Sequence, residues 1–254
     1  LLFGLGMFGA GVSWVYVAIH VFGHTVAPLA ALLTLLFVLV LALTTALAGF
    51  LARYGARRGA LSESAQLLLF FPAVWTLVEW FRGWFLTGFP WLTLGYSQID
   101  APLRGYAPLF GVYALSLLAA LSVGLLLWMW RERGKAVAWG VPLLLLIWLG
   151  GWGLSHLEWT RPVAEPLRVT LIQGNVPQST KWNPAAIRLR LERYAGLTRE
   201  HLEESDLIIW PENAITVFYH QLADDYFATL EQELRESETD LILGVPLLDE
   251  DGER

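Results

Sequence analysis

Long apolar segments occupy the first 153 residues and leave little choice of fold. They cover residues 1–19, 28–52, 65–86, 107–130 and 136–153. A helix needs about 20 consecutive apolar residues to cross a bilayer, and each segment reaches or approaches that length. With 56% hydrophobic residues in the whole chain, an ordinary soluble protein is excluded. The sequence therefore predicts a multi-pass α-helical membrane domain over residues 1–153.

Small residues and one proline modify these segments. The first segment contains Gly4, Gly6, Gly9 and Gly11, and small residues at such spacing favour close contact between helices. Pro72 lies inside the third segment and predicts a kink, with neighbouring helices satisfying the freed backbone groups.

The loops between the segments differ in charge. Two of them together carry six basic residues, namely Arg53, Arg57, Arg58, Arg131, Arg133 and Lys135. The opposite loops, at 20–27 and 87–106, carry only Arg104. Because basic loops stay in the cytoplasm, the fifth segment is expected to exit outward, with the polar half of the chain outside.

The polar half begins after a linker at 154–166 and alternates between strand and helix patterns. Strands are predicted at 167–173, 207–210 and 241–245, with helices at 183–204 and along 222–234. This alternation predicts a mostly parallel sheet in an α/β domain over 167–254. Three strands form an incomplete sheet, and the sequence starts without Met, so we expect a fragment truncated at both ends.

Composition narrows the possible partners. The net charge of -6 belongs largely to the polar half, which argues against binding of nucleic acid. Zero cysteines exclude a disulfide framework and a thiolate metal site. His20 and His24 lie four residues apart without a third ligand nearby, so neither a metal nor a cofactor is predicted.

Glu212 is the main catalytic candidate. It follows the apolar strand at 207–210 and Pro211, and Pro cannot donate to a sheet ladder, so the strand ends there. Open α/β sheets bind ligands at the carboxyl ends of their strands, where a partly buried carboxylate beside Trp210 would suit a general base. The alternative is a loop carboxylate that caps the next turn.

A polar turn, Gln173–Gln178, ends the first strand and is expected at the same sheet edge as Glu212. Trp182 follows this turn, next to Lys181. Its ring could pack against an acyl chain or shield a nucleophile; alternatively, it packs beneath the loop.

Two features of the membrane half could touch a substrate. Glu79 and Arg82 lie three residues apart near the outer end of the third segment; charges inside a membrane indicate function, but an ion pair at the interface is an equally good interpretation. The outer loop 88–98 is aromatic and contains Trp91. It either dips into the outer leaflet and touches lipid or forms a tight re-entrant connection.

Taken together, these motifs resemble the bacterial apolipoprotein N-acyltransferases, the membrane enzymes of lipoprotein maturation. The resemblance spans nearly the whole chain. Its motifs are Gly9–Val17, Phe81–Trp84, Thr87–Trp91, Gly95–Gln98, Gln173–Gln178, Lys181–Trp182 and Trp210–Glu212.

The resemblance implies an αββα nitrilase-like domain in the periplasm and a bacterial inner-membrane location. Glu212 corresponds to the general base of a Glu-Lys-Cys triad, and Trp182 to a tryptophan needed for activity. Trp91 and Arg82 are the candidate substrate-binding residues in the membrane half. The triad's Lys and Cys are expected after residue 254, so this fragment alone should be inactive.

The implied reaction has two half-steps. The Cys takes an acyl chain from a phospholipid as a thioester and passes it to the α-amino group of a diacylglyceryl-modified apolipoprotein. Two alternatives remain open: a membrane-anchored nitrilase-type amidase, and a non-enzymatic transporter or scaffold with an outer binding domain, for which Glu212 would be dispensable.

Overall fold

A computed structural model describes residues 1–59, 61–178, 180–181 and 183–248. The polar run at 249–254 lies outside the described residues. The chain divides into two compact units, Leu1–Arg161 and Pro162–Arg254, and each is described by itself.

The first unit is helical. Its described helices are α1 (Leu2–Gly11), α2 (Trp14–Phe22), α3 (Ala27–Arg58), α4 (Glu63–Arg82), α5 (Ala107–Glu132) and α6 (Lys135–Leu154). Helices α3 and α6, the segment 63–82 and the segment 102–132 are each long and apolar enough to cross a membrane. The described residues thus contain 4 candidate spans, or 5 if α1 and α2 count together, as expected for a multi-pass membrane protein.

The first predicted span is not one straight helix. Helices α1 and α2 are bent by 52° at the break after Gly11. The third span also ends earlier than predicted, at Arg82 rather than residue 86. Beyond it, Leu86 adopts a left-handed φ of 51° in a short 3-10 turn.

Pro72 is accommodated inside α4 by a change of helix type. A π-helical turn over Gln66–Phe70 directly precedes the α-helical part, Phe71–Arg82. Proline removes a backbone donor and crowds the preceding turn, and a single π-helical turn is a common local response inside an α-helix.

The glycines of α1 behave in two ways. A Cβ atom on Gly4 would lie 2.9 Å from Cα of Ala42, so α1 and α3 touch backbone to backbone as predicted. Gly6 and Gly9 have no described atom within 4 Å of that position. The prediction of close helix contact is therefore wrong for these two residues, and Gly11 approaches the Leu92 side chain, which lies in a loop and not in a helix.

The basic loops lie at one end of the helices. Arg131 pairs with Glu63 at 2.7 Å, and Ser64 donates a hydrogen bond of 2.7 Å to Glu132. The α3–α4 and α5–α6 connections therefore meet on the same side, and the six basic residues lie in these connections or in the helix ends next to them.

The second unit contains the predicted parallel sheet. Its described elements are β1 (Val169–Leu171), α7 (Ile187–His201), β2 (Leu207–Ile209), α8 (Ala228–Glu236) and β3 (Asp240–Ile242). The strands are parallel and ordered β1-β2-β3, so the strand at 207–210 is the central one, as its apolar sequence predicts.

Local sequence signals explain how these elements begin. Asn183 caps the helical segment before α7, its Oδ1 accepting from the N–H of Ala185 at 3.0 Å. At the start of the sheet, the side chain and N–H of Arg168 both donate to Asp206. These bonds fix the entry into β1 and β2 and hold the pKa of the Asp206 carboxyl below its usual range.

The helices cover one face of this sheet. Ile208 is fully buried and packs in one cluster with Leu191 of α7 and Leu230 of α8. On the opposite face Leu171 is 73% exposed and Ile242 55% exposed. The second unit, as described, therefore has one covered face and one open apolar face.

Candidate functional site

Glu212 lies in a tight turn immediately after β2. The Trp210 N–H still donates to the Ile242 carbonyl at 2.9 Å, whereas Pro211 has no N–H to continue the ladder. Asn213 then takes a left-handed φ of 57°, and Ala214 is 2% exposed. Buried residues on both sides thus anchor the turn that carries the Glu212 side chain.

The Glu212 carboxylate is exposed, so the expected partial burial beside the Trp210 ring is wrong. The reason is the direction of that ring. It stacks on Tyr194 with centroids 5.0 Å apart, and its Nε1–H donates to Thr198 at 2.9 Å. Trp210 is therefore buried against α7 and does not cover the carboxylate.

The end of β1 lies beside this turn. Gln173 donates to Asn175 Oδ1 at 2.9 Å, and Asn175 has a left-handed φ of 48°. Between them, a Cβ atom on Gly174 would lie 2.6 Å from the Tyr194 ring, so only glycine fits there without movement.

The structure brings the two strand ends together around one cleft. It has a volume of about 220 Å³ and is lined by Gln173, Gly174, Asn175, Val176, Gln178, Lys181, Arg190, Tyr194, Pro211, Glu212 and Asn213. The polar turn after β1 and Glu212 thus occupy the same sheet edge, as parallel topology requires. Trp182 lies outside the described residues.

Arg190 also lines this cleft, although it was not among the predicted site residues. This residue of α7 is 5% exposed, and it donates to the Lys181 carbonyl and, at 2.6 Å, to Thr216 Oγ1. Its signal was available, because it is three residues after Ile187 and four before Tyr194, on the apolar stripe of the helix.

Tyr194 forms the floor of the cleft. Its side chain is 4% exposed, and burial raises the pKa of its phenol, against the opposing effect of Arg190 and Arg193. The phenol therefore stays neutral at ordinary pH.

In the helical unit, Glu79 and Arg82 are buried but do not pair. Within the described residues no ion pair joins them, so the interpretation as an ion pair at the interface is wrong. Glu79 Oε1 instead accepts from Trp75 Nε1 at 3.0 Å and from the Leu94 N–H at 2.9 Å. The Arg82 guanidinium is 5.0 Å from the Phe8 ring centre.

The aromatic loop 88–98 is fastened to these helices. Besides the Leu94–Glu79 bond, the Phe89 N–H donates to the Arg82 carbonyl at 2.9 Å, and the Gly95 N–H donates to Ser116 at 2.8 Å. These bonds make the loop a tight connection.

Trp91 is nevertheless accessible. It is 49% exposed, and it stacks on Phe89 with ring centres 4.7 Å apart. Phe89 is half-buried, so it supports the exposed Trp91 ring, which can contact an apolar ligand without having to be ordered first.

These observations define a multi-pass membrane protein that also carries a partial α/β domain with an exposed carboxylate at its strand ends. Comparison with known proteins identifies the family. Residues 1–125 match the family described as apolipoprotein N-acyltransferase N-terminal domain. Relatives of the same name extend the match to nearly the whole chain, and the chain belongs to the apolipoprotein N-acyltransferase family.

Three relatives illustrate the match. Apolipoprotein N-acyltransferase of Methylococcus capsulatus is 46% identical over 255 residues, covering 100% of this chain and 49% of the relative. Those of Nitrosomonas europaea and Coxiella burnetii are 42% and 43% identical, covering 96% and 98% of this chain and 48% and 51% of the relatives. The chain thus spans about half the length of the curated relatives it matches.

Proposed function

We propose that this chain is part of an N-acyltransferase that acylates lipoproteins, with Glu212 as its general base. The names of the relatives support the activity. The observation that carries the role of Glu212 is its position: an accessible carboxylate on a fixed turn at the carboxyl end of the central parallel strand, inside a polar cleft.

The proposed first half-reaction forms a thioester. Glu212 accepts the proton of a cysteine thiol, and the thiolate attacks an ester carbonyl of a phospholipid. A Lys stabilises the developing oxyanion, and the departing lysophospholipid oxygen takes the proton back from Glu212. The 254 residues contain no cysteine, so we place the Cys beyond residue 254, and the family resemblance places the Lys there as well.

The second half-reaction transfers the acyl chain. The α-amino group of a diacylglyceryl-modified apolipoprotein attacks the thioester, and Glu212 accepts the proton that the nitrogen loses. The cysteine leaves as a thiolate, an amide forms, and Glu212 passes its proton to the thiolate to regenerate the thiol. No cofactor is needed for this balance.

We propose that the α/β unit, residues 167–254 after a linker at 154–166, is the first part of an αββα nitrilase-like domain. The one-sided covering of the sheet supports this. Leu171 and Ile242 expose apolar side chains opposite the helices, and parallel sheets are normally covered on both faces. In the proposed fold a second sheet packs on this open face.

We further propose that residues 1–153 anchor the enzyme in the bacterial inner membrane, with the α/β unit in the periplasm. Trp91, accessible on its fixed loop, contacts lipid substrate there. Arg82 supports this contact indirectly, because its carbonyl accepts a hydrogen bond from the Phe89 N–H and so holds the loop that carries Trp91. For Trp182, which lies outside the described residues, we propose from the family resemblance a role in binding the acyl substrate.

The decisive variant is Glu212→Gln in the full-length protein. It keeps the shape of the side chain but cannot accept a proton at neutral pH, so thioester formation should slow by about 10²–10⁴-fold, the usual worth of a general base. Incubation with a phospholipid carrying a labelled acyl chain, followed by gel detection of labelled protein, measures this rate.

Glu200→Gln provides the matched control, because Glu200 is an exposed carboxylate on α7 outside the cleft. This control should form acyl-enzyme at the wild-type rate. Normal accumulation of acyl-enzyme in Glu212→Gln, at normal expression, would remove Glu212 from catalysis.

A further inference from the structure

Arg190 is a buried cation that the proposed chemistry does not use. Its side chain is 95% buried, given a relative exposure of 5%, and in the described chain no carboxylate forms an ion pair with it. Its Nε also lacks a hydrogen-bond partner among the described residues. Burial of a guanidinium without a paired charge is unfavourable, so its remaining hydrogen bonds must hold it in this position.

The guanidinium of Arg190 forms hydrogen bonds to two loops, one after β1 and the other after β2. One nitrogen donates to the carbonyl of Lys181, in the segment that follows β1. The other donates to Thr216 Oγ1 at 2.6 Å, in the segment that follows β2. The planar fork of arginine presents fixed N–H donors to both acceptors at once, whereas the compact ammonium of lysine on its flexible stem lacks this fixed geometry.

The loop held through Thr216 is also the loop that carries Glu212. Ala214 and Ile215, which lie between these two residues, are 2% and 1% exposed, so the segment is packed and transmits displacement. Glu212 itself has a single described hydrogen bond from a side chain, a 3.3 Å contact from Asn213. The position of its carboxylate is therefore set by the backbone of the turn.

We propose that Arg190 is a positioning residue, which holds the Glu212 turn in register with the Lys181 segment across the cleft. The proposal rests on the role of Glu212 described above. Placement of a base decides its efficiency, since a shift of about 1 Å can cost about 10²-fold in rate. Arg190 acts through this placement and does not itself exchange a proton.

The first test compares two substitutions of Thr216 in the full-length protein. Thr216→Val removes the hydroxyl at nearly constant shape, and Thr216→Ser keeps it. We expect acyl-enzyme formation from labelled phospholipid to fall about 10-fold in Thr216→Val, as for loss of part of the positioning, and to stay within twofold of wild type in Thr216→Ser. The phospholipid concentration at half-saturation should not change, because Thr216 does not line the cleft.

The second test uses Arg190→Lys, with Arg188→Lys as the control on the exposed side of the same helix. Arg190→Lys should slow thioester formation by about 10–100-fold and Arg188→Lys should not. In a Glu212→Gln background Arg190→Lys should add less than a twofold loss, because there is no base left to misplace. A merely structural role would lower the rate by the same factor in both backgrounds.

The outcomes separate the two proposals. Wild-type rates in both Arg190→Lys and Thr216→Val, or an equal loss in both backgrounds, would overturn the positioning role and leave Glu212 as base. A normal rate in Glu212→Gln alone would overturn the function of Glu212, whatever the Arg190 variants do. If Arg190→Lys fails to fold, the comparison of Thr216→Val with Thr216→Ser decides.

Discussion

The bond between Trp210 and Thr198 anchors the strand end that carries Glu212. Trp210 Nε1–H donates to Thr198 Oγ1 at 2.9 Å, and Thr198 is fully buried. Trp210→Phe should therefore leave that hydroxyl without its partner and destabilise the α/β unit by about 1–3 kcal/mol. Thermal unfolding of the full-length protein, monitored by near-UV absorbance, measures this loss. Hydrogen exchange of residues 187–210 under native conditions measures it independently.

The double variant Trp210→Phe/Thr198→Val is the control for this prediction. Replacing both partners by apolar groups avoids a buried unpaired hydroxyl, so the double variant should be more stable than Trp210→Phe alone. The single variant Thr198→Val completes the comparison: if the losses of the two single variants simply add up to that of the double variant, the hydrogen bond does not contribute.

Individual site residues were predictable where a backbone rule fixes them. Pro211 ends the strand, so the position of Glu212 at the sheet edge follows from the sequence, and parallel topology brings Gln173 to the same edge. The exposure of Glu212 was not predictable, because the Trp210 ring could have turned either way. Arg190 was missed because a charged residue in a helix is normally read as facing solvent, and only tertiary contacts supply its acceptors.

Close helix contact in the membrane unit depends on Gly124. A Cβ atom at this position of α5 would lie 2.3 Å from the Leu67 carbonyl oxygen, in the π-helical turn of α4. Gly124→Ala should therefore force the helices apart and destabilise the unit by about 1–3 kcal/mol, the usual cost of overpacking. Thermal unfolding in detergent measures the change.

Gly49→Ala is the matched control in α3, since no described atom lies within 4 Å of its Cβ position. Here alanine should be neutral or stabilise by up to about 1 kcal/mol, through its better helix propensity. Equal destabilisation by both substitutions would show that helix contact at Gly124 is not the cause.

At the scale of helices and strands, the periodicity of the sequence predicted which elements form better than it predicted where they begin, bend and end. The parallel order of the strands and the cap at Asn183 were predictable from local pattern. The break between α1 and α2 was not, since hydropathy measures apolar length and is insensitive to a bend of 52°. The π-helical turn before Pro72 likewise depends on how α4 packs.

For the whole molecule, orientation in the membrane follows from where the basic loops lie. The contact between Arg131 and Glu63 places both basic connections at one end of the helices. The positive charges of both connections therefore favour the same orientation in the membrane. Basic loops resist translocation, and this end should stay in the cytoplasm. The loop at 87–106, which contains Trp91, should then face the periplasm.

Reporter fusions to the full-length protein test this orientation. Alkaline phosphatase fused after Asp100 or Leu157 should be active, because it folds only outside the cytoplasm, and green fluorescent protein fused after Gly134 should fluoresce. Gly134 and Leu157 lie on either side of α6, so they must give opposite signals if α6 crosses the membrane. Absence of fluorescence at Gly134 together with absence of phosphatase activity at Leu157 would invert the topology and place Glu212 in the cytoplasm.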